Sequence, residues 1–298
     1  MRQRRINMVA FLAVVVIGTV ASARAEARTL NFPSAYPTLQ AAVNAAQDGD
    51  VIVVESRLTP YLIGTVTIDN LITGLTMVGT DPSVAVLEGN IVLQLNVSSI
   101  TTSDFYRLLS FIANGGSTLT LQNLTIRRPS GSSTEVGVAY TYDVAVSRLS
   151  VINCVIENWG QGSGIAMAGT PRGVGRQLSV THSALRNNRY GIGMGSGGNQ
   201  VTVTRSVIAN NSQYGILGTD GNQTVDLQQS VVALNGAPTI PERAGIRLQI
   251  PTTGQGVLRT KDTTFYGNRT SHYTLSGPVT RTDLGNTVYL DLTNGQTM

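Results

Sequence analysis

The sequence predicts an all-β solenoid, a parallel β-helix in which short strands wind into coils and the coils stack. Three observations carry this. Gly followed by Val or Ile recurs at Gly137-Val138, Gly164-Ile165, Gly191-Ile192, Gly215-Ile216 and Gly245-Ile246, in steps of 27, 27, 24 and 30 residues. A second series runs alongside: LTLQNLTI (119–126), LSVINCVI (149–156), LSVTHSAL (178–185), VTVTRSVI (201–208), VDLQQSVV (225–232) and LRTKDTTF (258–265). Finally, an Asn pair with a following Tyr-Gly-Ile appears twice, at Asn187-Asn188 with Tyr190 and at Asn210-Asn211 with Tyr214.

Each member of the second series has alternating apolar positions, a two-residue interruption and two more apolar positions. Alternation of period two means strand, and the interruption is a bend between strands. Three short strands joined by bends fit in roughly 22–24 residues, and the longer intervals reflect insertions at one corner. A propeller blade needs about 40 residues and hairpin signals, and a leucine-rich repeat needs its full Leu pattern; neither is present.

In a stack, equivalent positions become columns. Asn188, Asn211, Asn235 and Asn268 form one, whose amides hydrogen-bond along the stack and hold its register. The Gly column is expected to supply a backbone conformation that other residues resist, and the Ile/Val column after it fills the interior. Cys154 aligns with Ser183, Ser206, Ser230 and Thr263 in an inward column of small residues, so it reads as packing rather than as a nucleophile.

These columns resemble those of the pectin-lyase-like superfamily, and YPTLQAAVNAAQDGDVIVV (36–54) is similar to its opening segment, a short helix leading through a Gly-Asp turn into the first strand. LTMVGTDPSVAVLEG (75–89) resembles the second coil. The resemblance implies a single-stranded, right-handed parallel β-helix over 26–298: a capping helix at about 37–47, regular coils at about 117–268 and a C-terminal cap at about 270–298. Leu39, Ala42, Val43 and Ala46 share one helical face, and that helix would plug the open end.

Composition agrees with an all-β chain. Hydrophobic residues make up 41% of the 298 residues and charged residues only 13%. At the N-terminus, Arg2, Arg4 and Arg5 precede an apolar run from Met8 to Val20 and then ASARAEA. This reads as a secretory signal over 1–25, cut near Ala25 or alternatively after Ala23, with twin-arginine export also compatible. The run is too short to span a bilayer. Loss of Arg2, Arg4, Arg5 and Arg24 takes the net charge from +4 to about zero. Lys261 is the sole lysine, and nucleic-acid binding, which needs clustered cations, is not expected. The expected location is secreted or periplasmic, with the cell surface as an alternative, and the expected partner is a polysaccharide.

The superfamily holds lyases, hydrolases, esterases, epimerases and non-catalytic adhesins, so the fold does not choose the activity. The polygalacturonase-like motifs Asn-Thr-Asp, Asp-Asp and Gly-His-Gly are absent, as are the Gln and paired Asp motifs of pectin methylesterases. The epimerase motif Asp-Pro-His-Glu fails at Asp81-Pro82-Ser83-Val84. No acid cluster matches the calcium site of pectate lyases, and no cofactor is expected; calcium would require several oxygen ligands.

Two constellations remain. Arg127, Glu157 and Arg186 fall at equivalent outward positions of successive coils, followed by Ala209 and Ala233. They read either as an exposed ion-pair ladder or as a catalytic uronate site, in which the arginines neutralise a sugar carboxylate during β-elimination. Asp143 is the one candidate for a second acid beside Glu157, as glycoside hydrolysis would require. The second constellation is an aromatic corner stack: Tyr190 and Tyr214, with Trp159 one coil earlier, joined by Tyr142 and Asp143 from an insertion. Flat rings can carry sugars on their faces. His182 sits at a bend position shared with Asn123, Asn153, Arg205, Gln229 and Asp262, which marks it as solvent-facing. The two functional readings are a non-catalytic glycan-binding or surface module and, as the alternative, a polysaccharide lyase acting on uronic-acid glycans.

Overall fold

A computed structural model describes residues 26–68, 72–94, 117–133, 135–140, 147–167, 175–236 and 244–290. Its regular structure is almost entirely parallel strand. A seven-residue helix, α1 (Leu39–Ala45), lies between β1 (Thr29–Phe32) and β2 (Val51–Val54). The strands stack on three faces. The first face runs β1, β2, β4 (Leu75–Gly79), β6 (Thr118–Gln122), β9 (Ser147–Ile152), β12 (Arg176–Thr181), β15 (Asn199–Thr204), β18 (Gln223–Gln228), β21 (Gly256–Lys261) and β24 (Val279–Asp283). The second runs β7 (Thr125–Arg127), β10 (Val155–Glu157), β13 (Ala184–Arg186), β16 (Val207–Ala209), β19 (Val231–Ala233), β22 (Thr264–Tyr266) and β25 (Val288–Leu290). The third runs β3 (Tyr61–Ile68), β8 (Val138–Tyr140), β11 (Ser163–Met167), β14 (Tyr190–Met194), β17 (Tyr214–Gly218), β20 (Ala244–Gln249) and β23 (Ser271–Ser276). β5 (Val86–Leu93) is long enough to join the second and third faces: its Val86–Glu88 half pairs with β7, its Ile91–Leu93 half pairs with β8, and β3, equally long, pairs with it along both halves.

The register is the one the columns require. Val180 pairs with Val151 and Val203, and Ile192 with Ile165 and Ile216. Inward positions are closed to solvent: Leu121, Val151, Val180 and Val203 on one face, Val138, Ile165, Ile192, Ile216 and Ile246 on another. Apolar area removed from water on this scale is the main favourable contribution to the fold.

The two-residue interruptions are left-handed corners. Asn123, Asn153, His182, Arg205, Gln229, Asp262 and Asn286 all have φ between 49° and 55°. Asn and Asp tolerate this region best, and the position otherwise accepts any polar side chain because it points outward. A second left-handed corner follows β10, β13, β16, β19 and β22. There Asn158, Asn187, Asn210, Leu234 and Gly267 have φ of 70°, 58°, 55°, 54° and 56°. This explains the Asn pair: the first Asn makes the left-handed turn, and the second reaches into the stack.

That second position is a buried amide ladder. Asn188, Asn211 and Asn235 are fully buried and Asn268 nearly so. The N–H groups of Trp159, Asn188, Asn211 and Asn235 each donate to the side-chain oxygen one coil on, at 3.1 Å. Each Asn Nδ2 donates inward to a carbonyl, those of Ile156, Leu185, Ile208 and Val232 in turn. A parallel serine ladder follows the first corner. Cys154, Ser183 and Ser206 each donate a backbone N–H to the hydroxyl of the next coil, at 3.0–3.2 Å.

The Gly column has a different cause from the one the sequence suggested. Gly137, Gly164, Gly191, Gly215 and Gly245 do not lie at positive φ. A Cβ on Gly215 would meet the Gly245 carbonyl oxygen at 2.6 Å and the Asn235 amide nitrogen at 3.0 Å. The column exists because the backbone passes close over the amide ladder.

The front end is closed as anticipated. Thr38 caps α1 by accepting the Ala41 N–H, and Leu39, Ala42, Val43 and Ala46 are buried. The Gln40 amide donates to the Thr67 carbonyl and accepts its N–H, so α1 covers part of the exposed edge of β3. Asp50, after the left-handed Gly49, accepts from the N–H groups of Arg28 and Gln47 and from the Arg28 guanidinium. Burial pushes its carboxyl up, but these donors hold it below the usual carboxylate range. At the far end the coils continue past 268. β23, β24 and β25 add a further turn, in which Tyr273 follows Ile246, Arg281 follows Leu258 and Tyr289 follows Phe265. Arg281 donates to both tyrosine hydroxyls at 2.6 Å, so a polar-aromatic cluster ends the aliphatic interior.

Candidate functional site

Arg127, Glu157 and Arg186 do form one outward row on the second face: Glu157 pairs in register with both arginines. The row begins one coil earlier, at Glu88, the register partner of Arg127. The charges then close in twos. Arg127 bonds Glu88 at 2.6 Å, and Arg186 bonds Glu157 at 2.8 Å. Ala209 and Ala233 continue the row. With each guanidinium on its own carboxylate, the arrangement has the chemistry of an ion-pair ladder, each exposed pair contributing about 0–1 kcal/mol.

The aromatic stack is two residues deep. Tyr190 and Tyr214 are register partners, with ring centroids 6.1 Å apart and planes at 13°. The position one coil earlier belongs to Ser163. Trp159 is not part of this column: it stands at the head of the amide ladder and is fully buried. Its rings have no face to offer a sugar, which corrects its assignment to a binding surface. Its Nε1 has no hydrogen-bond partner among the described residues and lies where a Cβ on Gly137 would come within 2.7 Å. Tyr142 and Asp143 lie outside the described residues, as do Arg172 and Arg243 of the other insertions.

Arginines that the sequence reading left out flank the two tyrosines. The Arg189 guanidinium lies 5.1 Å from the Tyr190 ring centre and that of Arg247 5.6 Å from Tyr214. Arg247 also donates to the Tyr214 hydroxyl at 2.7 Å. Gln213 bridges Arg189 and the Tyr190 hydroxyl when its amide is oriented to accept from the one and donate to the other. Tyr214 is buried and Tyr190 half-buried, and each ring is already in contact with the other and with a guanidinium. What this strip presents is therefore a hydrogen-bonding edge of hydroxyl, amide and guanidinium groups rather than open ring faces.

The cysteine and His182 stand apart from both constellations. Burial pushes the Cys154 thiol up to about 11. His182 is exposed at its corner. Among the described residues, no three His, Cys, Asp or Glu side chains gather where they could hold a metal ion, and no helix is long and apolar enough to cross a membrane.

The match to a family model agrees with the fold. A family model described as the right handed beta helix region matches residues 90–277. Among solved structures, the pectate lyase Pel9A is similar at 14% identity, with 87% of this chain and 78% of that chain covered and a TM-score of 0.42. Pectin methylesterase PemA from Erwinia chrysanthemi is similar at 13% identity over 84% of this chain and 80% of that one, with a TM-score of 0.39. A sequence search of curated proteins finds no match.

Proposed function

The chain belongs to the right-handed β-helix family, and from that premise we propose that it is a secreted or periplasmic module that binds polysaccharide without cleaving it. The observation that carries this reading is the pairing of the charged row. Arg127 and Arg186 are each held by a carboxylate, so neither stands as a free base or as an open receptor for a uronate. The strip of Arg189, Tyr190, Gln213, Tyr214 and Arg247 supports the binding half of the reading. It gathers two cations, two phenol hydroxyls and an amide on adjacent coils. Directional donors of this kind recognise sugar hydroxyls and carboxylates.

The test is to titrate the mature protein with a panel of uronic-acid and neutral polysaccharides while following product formation. The expected result is saturable binding that weakens in Arg189→Gln and Tyr190→Phe, with no unsaturated uronate and no new reducing ends. Release of an unsaturated product that is lost in Arg127→Gln or Arg186→Gln would establish the lyase alternative instead. Absence of binding across the panel would remove the glycan-binding reading.

A further inference from the structure

A separate cleft lies at the front coil, between the turn that joins β1 to α1 and the start of β3. Its volume is about 370 Å³, within the range of small-molecule sites, roughly 300–1,000 Å³. Pro33, Pro37, Pro60, Leu62 and Ile63 form walls around Phe32 and Tyr61, whose rings meet at 4.7 Å. Leu62 is 78% exposed at the rim, and the neighbouring Leu58 is 98% exposed. Three prolines and a packed ring pair give these walls little freedom to collapse, so the cleft is preformed.

The polar side chains around it are mostly committed elsewhere. The Gln40 amide is taken by Asn44 and the Thr67 backbone. The Thr38 hydroxyl caps α1, and the Tyr61 hydroxyl donates to the Glu55 carbonyl. Arg57 differs. Its guanidinium lies over the Tyr61 ring at 4.6 Å and donates to the Thr59 hydroxyl. It has no carboxylate partner among the described residues; the nearby Glu55 carboxylate accepts from Ser34 instead. Arginine has five N–H donors in a planar fork suited to an oxyanion, and most of those on Arg57 are unspent.

We propose that this cleft binds a small amphipathic anion: an apolar ring that lies against the proline and leucine walls, with a carboxylate or sulfonate that reaches Arg57. A neutral sugar fits poorly, because its hydroxyls would find few side-chain partners not already bonded.

The experiment uses the full mature protein and 8-anilinonaphthalene-1-sulfonate as a fluorescent probe, displaced by 2-naphthoate or by uncharged 2-naphthol. Saturable binding of one equivalent is expected, with naphthoate displacing the probe about tenfold better than naphthol. Arg57→Gln should weaken the probe about tenfold, Leu62→Ser should weaken it as well, and Tyr190→Phe should leave it unchanged. Arg57 and Leu62 are exposed, and emission from the sole tryptophan, buried Trp159, reports that each variant is folded. Equal displacement by naphthol and naphthoate, an unchanged affinity in Arg57→Gln, or no saturable binding at concentrations on the order of millimolar would each overturn the proposal.

Discussion

The side-chain oxygen of Asn211 accepts the backbone N–H of Asn188 from the coil before it, at 3.1 Å, and both residues are fully buried. The same bond repeats from Trp159 to Asn268, so a single side-chain type satisfies a corner that no strand pairing reaches. In Asn211→Ala, the Asn188 N–H loses its acceptor, the Leu185 carbonyl loses the Asn211 amide, and the Asn235 side-chain oxygen keeps only the backbone N–H of residue 211. The expected loss is about 2–3 kcal/mol, read by urea denaturation. Combining it with Asn235→Ala should cost less than the sum of the two, because both variants remove the bond from the Asn211 amide to the Asn235 side-chain oxygen.

Leu234 occupies a left-handed corner, at φ 54°, where the preceding coils place Asn187 and Asn210. Its side chain is 40% exposed and contributes little burial to offset the strain. Leu234→Asn should therefore stabilise the protein by about 1 kcal/mol, seen as a higher melting temperature. An unchanged or lower value would mean that the corner carries no strain.

Gly215→Ala should destabilise by about 1–3 kcal/mol, because its Cβ would press on the Gly245 carbonyl and the Asn235 amide. Gly160 has nothing within 4 Å of the same virtual atom, and Gly160→Ala should be close to neutral. Equal effects at the two sites would contradict the close-approach explanation of the Gly column.

Two groups set opposite limits on pH stability. The folded Cys154 thiol is raised to about 11, so the unfolded chain gives up that proton first and stability falls as pH climbs from the ordinary thiol range toward 11. Cys154→Ser, which extends the serine ladder, should flatten that part of the profile. The folded Asp50 carboxyl is lowered. Its contribution is complete above the ordinary carboxylate range and disappears as pH falls through its depressed value. Asp50→Asn should lose stability at neutral pH and converge with the parent in acid. Denaturation curves across pH check both.

The columns were legible because strand alternation and stacking act on every coil alike. The amide ladder and the interior Ile/Val column are readable from spacing alone; the column of Cys154 and the serines is readable as small inward residues, but its hydrogen bonds are not. Trp159 was misplaced because aromatic character drew it toward Tyr190. Its spacing told otherwise: Glu157, Asn158 and Trp159 lie 29 residues before Arg186, Asn187 and Asn188, which puts the indole on the ladder. Glu88 was missed because β5 precedes residues 95–116, across which the repeat series is not visible, although Leu87-Glu88 mirrors Ile126-Arg127. The roles of Arg189 and Arg247 depend on where long side chains lie against the rings, which spacing does not encode.

Spin labels placed on outward positions of the first face test the stacking itself. In a Cys154→Ser background, nitroxides at Ser179→Cys and Thr202→Cys sit on register partners, with backbones about 4.8 Å apart. Their paramagnetic resonance spectrum should show strong dipolar broadening, whereas Ser179→Cys with Arg259→Cys, three coils along the same row and so with backbones about 14 Å apart, should be broadened far less. A 179/202 spectrum that equals the sum of its single labels would mean that these coils do not lie one over the other.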